Sequence, residues 1–224
     1  MNITWYGQSC FLITIQKKKN KEKVSILIDP FDEKTGLKLP ETEVNLVLIT
    51  HNHSDHNNTK TIEGSPFIID NPGEYELHNV FIQGIQSYHD QEKGTKRGIN
   101  TIYTLEIDGV RLCHLGNFGE KELSTEQMKE IGEVDVLMIP VGGVYTIDAK
   151  EATRVVSQIE PRVVIPMHYK IEGLDLDIDD LSPFLKAIGE KEVKKEEGLE
   201  IEKNKLPSTD MKIIPLRVPL NKKQ

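Results

Sequence analysis

The segment Thr50-His51-Asn52-His53-Ser54-Asp55-His56 packs three of the chain's seven histidines and a carboxylate into one short stretch. Such a stretch fits a core poorly, because each imidazole and the carboxylate would need a buried partner. It directly follows a nearly continuous apolar run at residues 44–49, which reads as a strand covered on both faces. At the mouth of a strand the backbone can curl so that several side chains converge. Imidazole nitrogens and carboxylate oxygens are then ligands for Zn²⁺ or another borderline first-row metal. An incidental polar loop is the plainer alternative. His89 and His168 are remote from the cluster, and alone each reads as a structural or surface histidine.

The surrounding pattern supplies elements to position these groups. Residues 2–6 and 10–15 read as strands around a tight turn at Gly7, and residues 16–23 as a charged, exposed connection. Residues 24–28 form a β-branched run stopped by Asp29-Pro30. Residues 67–69 and 80–85 read as further strands, with a turn near His78. Residues 99–107 and 110–114 predict a hairpin joined by Asp108-Gly109.

The pattern then restarts. Ser124 caps a helix running to 131, and residues 134–139 read as a buried strand. Residues 148–159 predict a helix with the apolar stripe Ala152, Val155, Val156 and Ile159, opened by an Asp148/Glu151 capping box. A short strand at 163–165 and a helix at 179–188, entered through Ser182-Pro183, complete the set. Residues 192–202 and 211–216 predict a final pair of strands. Two successive sets of strands and helices suit a sandwich of two sheets with outer helices. With no convincing linker, residues 1–224 are expected to form a single domain, carrying a flexible charged segment at 190–205.

Composition narrows the classes. A chain of 224 residues can bury a full core without disulfides or metals as props. The net charge of -8 argues against a general nucleic-acid coat or an anionic-membrane binder. With Cys10 and Cys113 the only cysteines, a disulfide scaffold and a four-cysteine zinc module are both excluded. No secretory leader and no spanning helix is evident, so the expected location is cytoplasmic. Neither GxGxxG nor a P-loop occurs.

In this setting HxHxDH after an apolar strand resembles the metallo-β-lactamase superfamily. The chain is most similar to its small uncharacterised zinc-dependent hydrolases, relatives of the sugar-lactone lactonases. The resemblance runs through Trp5-Tyr6-Gly7-Gln8-Ser9-Cys10-Phe11, Ile28-Asp29-Pro30-Phe31, the histidine cluster, Tyr88-His89-Asp90 and Arg97-Gly98. It continues through His114-Leu115-Gly116-Asn117, Pro140-Val141-Gly142-Gly143 and Pro166-Met167-His168-Tyr169. The order of these blocks is more specific than any one of them. The resemblance implies an α/β fold, a four-layer αββα metallo-β-lactamase-like sandwich with a metal site at one edge.

It also implies roles. His51, His53 and His89 would hold a first metal, and Asp55, His56 and His168 a second. Ions about 3.5–4 Å apart would share a hydroxide, lowering the pKa of its parent water and steadying a developing oxyanion. Asp55, which would also orient the hydroxide, and His168 are the implied catalytic residues. Asn117 departs from the family pattern, which carries a bridging Asp there. An amide oxygen is a weaker, uncharged ligand and a poorer bridge. Phe118-Gly119-Glu120 departs as well, standing where Leu-Gly-His is usual.

The expectation is therefore one tight Zn²⁺ and a weaker second ion, with Mn²⁺ or Fe²⁺ not distinguished by ligand type. The expected activity is hydrolysis of a small anionic ester, lactone or phosphodiester by a metal-bound hydroxide, weakened by Asn117. The alternative is a catalytically weak or inactive metal-binding or partner-binding protein on the same fold. The loop at 91–100, with Lys93, Lys96 and Arg97 beside His89, reads as a solvated loop; the alternative is a substrate-contacting loop whose positive charge would attract a phosphate or carboxylate. Nucleic acid is disfavoured as a partner, no membrane is implied, and exposed edge strands leave a homo-oligomer open. His114 reads as a core or ligand-orienting histidine, His78 as a surface histidine, Cys10 as a buried free thiol, Trp5 as core, and Tyr145 and Tyr169 as packing residues flanking the site loops.

Overall fold

The computed structural model describes residues 1–16 and 22–219. The expected charged connection at 16–23 falls largely outside the described residues. Two mixed sheets lie face to face. The first runs, in spatial order, Leu199–Glu200, Asn2–Gly7, Cys10–Gln16, Lys23–Ile28, Leu46–Leu48, Phe67–Ile69. The second runs Lys212–Ile213, Val163–Met167, Val136–Pro140, Val110–His114, Ile99–Ile107, Val80–Tyr88, Gly73–Leu77.

Alternation decides which residues face inward. Phe11, Ile13, Ile26, Ile28, Leu46 and Leu48 point into the core between the sheets, where they meet Ile82, Tyr103, Leu105 and Leu112. Their neighbours Cys10, Leu27 and Val47 face the other way and pack beneath Phe31, Leu39 and Val44. On the second sheet Val136–Pro140 and Val163–Met167 are buried at every position, as parallel strands covered on both faces must be. Helices α1 (Thr125–Ile131), α2 (Ala149–Ile159) and α3 (Ser182–Ile188) flank the sandwich. The stripe Ala152, Val155, Val156 and Ile159 joins α2 to the core. Both helices preceded by an expected cap have one: Ser124 closes a box with Gln127, and Asp148 with Glu151. The layered α/β sandwich expected from the sequence is the fold.

Several local features differ from expectation. The helix expected from 179 begins only at Ser182, where Pro183 enters its first turn. The two tail segments do not pair as neighbouring strands of one sheet. Leu199–Glu200 joins Asn2–Gly7 and Lys212–Ile213 joins Val163–Met167, on opposite sheets, with one bridge from Glu196 to Leu216 between them. The strand at 80–85 extends to Tyr88, which carries it to the metal-ligand candidate His89. Gly73–Leu77 is an additional strand, hairpinned to Val80–Tyr88 through His78 and Asn79, both left-handed.

Candidate metal centre

The candidate ligands sit on loops at the ends of four core strands. Leu46–Leu48 leads to His51–His56, Val80–Tyr88 to His89, Val110–His114 to Asn117, and Val163–Met167 to His168. Ring centroids of His51 and His53 lie 4.7 Å apart, and those of His51 and His89 4.8 Å. These three side chains can bring ligand atoms within 4.8 Å of one another. The second expected set is more open. Asp55 Oδ2 is 3.4 Å from His56 Nε2, and the rings of His56 and His168 stack at 6.3 Å.

Asn117 stands between the two sets. Its Nδ2 lies 2.9 Å from His56 Nε2 and 3.3 Å from His89 Nε2. Glu120 does not compensate for the missing carboxylate. Its Oε2 accepts from the Tyr88 N–H and from Gln127 Nε2, which fastens the strand before His89 to α1.

Two glycines let the ligand loops close in. A Cβ at Gly119 would lie 2.3 Å from the His89 carbonyl carbon, and one at Gly142 would lie 2.2 Å from the His168 carbonyl oxygen. His168 itself takes a left-handed backbone, with φ of 52°. That conformation is sparsely populated outside glycine, so the surrounding structure must impose it.

Asp29 organises the site although composition and spacing gave it no role. Its Oδ1 accepts from the Thr50 N–H, and its Oδ2 from Thr50 Oγ1 and His56 Nδ1. Thr50 Oγ1 is in turn 3.0 Å from His51 Nδ1. Because the hydroxyl donates to Asp29, it accepts from His51. Both imidazoles are thereby held through Nδ1, as oriented metal-binding histidines are; Nε2 of His51 is left without a partner, whereas Nε2 of His56 faces Asn117 and Asp55. Asp29, His51 and His56 also form a compact group of ligand-type side chains, but the oxygens of Asp29 are already engaged.

Gln8 and Ser9 were likewise missed as contributors. Gln8 Nε2 donates to Asp55 Oδ2 at 3.0 Å, and Ser9 Oγ to Asn117 Oδ1 at 3.1 Å. A signal was present, since polar residues between two core strands must find partners when buried. His114 is the core hydrogen-bonding histidine expected. Its Nε2 donates to the Ser9 carbonyl and its Nδ1 accepts from the Gly116 N–H. Cys10 is a buried thiol pushed well up, by burial and then by Asp29.

Electrostatics separate the histidines. Burial pushes the His89 imidazole down to about 4 and His168 to about 3, with the charge of His56 adding to both. His51 is also held well below its ordinary value, by burial first and then by its neighbouring imidazoles. Burial opposes charge on His56 too, but Asp29 and Asp55 outweigh it and raise that imidazole to about 9. Asp55 is lowered, the hydrogen bond and charge of His56 overcoming its burial.

The donor set suits a divalent ion. His51 Nε2, His89 Nδ1 and His168 Nδ1 are buried without a hydrogen-bond partner among the described residues. Neutral imidazole nitrogens with no proton partner are what a borderline metal takes up. His51, His53 and His89 form a compact group that could hold one ion, and Asn117 stands between them and His56.

Beside the His51/His53 edge lies a cleft of about 520 Å³, lined in part by Thr50, Pro72, Gln86, Arg97 and Ile99. The Arg97 guanidinium stands 5.4 Å from the centre of the Tyr145 ring. Asp90 shapes the loop that carries it, accepting from the N–H groups of Glu92, Gly94, Lys96 and Arg97. Lys96 is turned to Glu92. No helix among the described residues is long and apolar enough to cross a membrane.

Comparison with known proteins identifies the family. The family described as Beta-lactamase superfamily domain matches residues 2–168. A metal-dependent hydrolase of the UPF0173 group from Thermococcus kodakarensis is 30% identical over 199 residues, covering 75% of this chain and 84% of that one. A crystal structure from Thermotoga maritima, a candidate Zn-dependent hydrolase of the metallo-β-lactamase superfamily, superposes with a TM-score of 0.74 at 32% identity. It covers 96% of this chain and 98% of its own. The metallo hydrolase Igni18 of Ignicoccus hospitalis shares the fold, with a TM-score of 0.61 at 23% identity over 84% of this chain and 90% of its own. With a family match across most of its length and relatives that align along three quarters or more of it, the chain belongs to the metallo-β-lactamase superfamily, in its UPF0173-like group of metal-dependent hydrolases.

Proposed function

We propose that the protein is a zinc-dependent hydrolase of a small anionic ester, lactone or phosphodiester, with one tight ion at His51/His53/His89 and a weaker one at Asp55/His56/His168. The observation that carries this reading is the position of Asn117, whose amide contacts one imidazole from each set. An uncharged group at the border of two cationic sites leaves one anionic ligand, Asp55, for the second ion. When bound, such ions supply a water of lowered pKa as nucleophile and a Lewis acid for the oxygen that gains charge.

The chain's own residues set up that reaction. Asp29 fixes the ring of His56 directly and that of His51 through Thr50. Asp55, kept ionised, offers a carboxylate both to an ion and to a nucleophile's proton. Arg97, beside the cleft and without a carboxylate partner among the described residues, is placed to attract the substrate's anion.

A screen of phosphate- and carboxylate-bearing esters, lactones and phosphodiesters with zinc-loaded protein tests the proposal. Turnover that requires zinc and disappears in a folded His53→Ala variant is expected. Turnover equal in wild type and that variant would refute it. The same Asn117 also favours a second reading, a catalytically weak metal-binding protein. Saturable ligand binding without turnover across the whole panel would select it.

A further inference from the structure

The two residues of the tight turn between Asn2–Gly7 and Cys10–Gln16 are both fully buried. Gln8 adopts a left-handed backbone with φ of 52°. Turns normally lie at the surface, where water satisfies their polar groups. Here the polar groups are spent on the candidate metal centre. Gln8 Nε2 donates to Asp55 Oδ2, and the Gln8 carbonyl accepts from the backbone N–H of His168 and from Trp5 Nε1. Ser9 Oγ donates to Asn117, and the Ser9 carbonyl accepts from His114 Nε2. Among the described residues no hydrogen bond joins Gln8 or Ser9 to His51, His53 or His89.

We infer that the Gln8–Ser9 turn is the positioning element of the second metal site, Gln8 holding the carboxylate of Asp55 and the backbone of His168 while Ser9 holds the amide of Asn117. The inference rests on the two-site reading above and adds the residues that make the second site usable. The side chain of Asp55 is 27% exposed, so without an anchor it gains rotamer freedom that metal binding must then remove. Gln8 supplies that anchor through one N–H on Oδ2, leaving other lone pairs for an ion. A neutral amide does this without the cost of a lysine or arginine, whose charge would compete with the metal for the carboxylate. The orientation is fixed by chemistry, since the amide oxygen turned toward Asp55 would be repelled. Gln8 Oε1 is left buried and without a hydrogen-bond partner, a cost accepted for the contact its nitrogen makes.

The test is a zinc titration of chelator-stripped wild type, Gln8→Met and Gln8→Asn, read by calorimetry with elemental analysis. Gln8→Met keeps the volume and removes the donor. Gln8→Asn suits the left-handed backbone and is too short to reach Asp55, so it serves if the first variant does not fold. Both should bind the second ion about ten- to a hundredfold more weakly, the usual scale for groups that orient a ligand, with the first ion within about twofold of wild type. An unchanged second ion, or equal weakening of both ions, would overturn the inference. Wild type that takes up a single ion would overturn the two-site reading and this inference with it. Two ions in wild type with unchanged variants would overturn this inference alone.

Discussion

His56 Nδ1 and Asp29 Oδ2 lie 2.9 Å apart with both side chains fully buried. This pair gives the metal-free protein an unusual pH dependence. An imidazole raised in the folded chain contributes stability that is whole below its ordinary value of 6.5 and lost as pH climbs through about 9. His89 and His168 work in the opposite sense. Once unfolded they take up protons near 6.5, whereas folded they do so only near 4 and 3, so acidification from 6.5 favours unfolding. Asp55 adds a further loss below its ordinary 3.8. Urea midpoints in the presence of chelator should peak near pH 6.5 and fall on both sides. A midpoint that climbs steadily from pH 5 to 9 would contradict the pairing.

Replacing Asn117 with Asp restores a charged ligand at the border of the two sites. The second zinc should tighten by about tenfold or more, and any hydrolytic rate should rise with it. Calorimetric titration of wild type and N117D, with elemental analysis, measures this. Two equally tight ions in wild type, unaltered by the substitution, would show that Asn117 does not control the difference.

Gly119 does not take a left-handed φ, so the reason for glycine there is space. An alanine methyl would press on the His89 carbonyl and on the Asp90 amide nitrogen, both backbone atoms. Gly119→Ala should cost about 1–3 kcal/mol, as overpacking does, and should weaken zinc at the His89 set. Denaturation of the metal-free variant beside its zinc content would reveal the effect. Wild-type values for both would mean that the loop relaxes freely.

These relationships differ in how readable they were. Asp108-Gly109, Ser124 and Asp148 announce a turn and two caps through local chemistry, and each is found as expected. The histidine cluster was legible for the same reason, being contiguous. Gly73–Leu77 was not, because its residues offer no apolar run and its existence depends on pairing with Val80–Tyr88. The contributions of Asp29, Gln8 and Ser9 were hidden by distance along the chain. Their partners lie 21 residues away for Thr50, 47 for Asp55 and 108 for Asn117. Long-range hydrogen bonds leave no periodic trace in a sequence. Asn117 was the exception, visible only because the resembled family supplied a charged residue to compare it with.

Arg97 stands beside the cleft on the Asp90-centred loop, where the proposed anionic substrate would meet it. Arg97→Gln should raise KM for such a substrate by about ten- to a hundredfold, the scale of a lost charged hydrogen bond, with zinc content unchanged. The loss should shrink at high salt. Steady-state kinetics at low and high ionic strength would check it, and a fall in kcat at constant KM would argue that Arg97 acts elsewhere.

The proposed unequal two-ion centre straddled by Asn117 is tested most directly by anomalous scattering at the zinc edge. Crystals would be grown with one equivalent of zinc and with a large excess. At one equivalent a single strong peak should lie among His51, His53 and His89. In excess a second, weaker peak should appear among Asp55, His56 and His168. Two peaks of equal height at one equivalent, or none at either position in excess zinc, would contradict it.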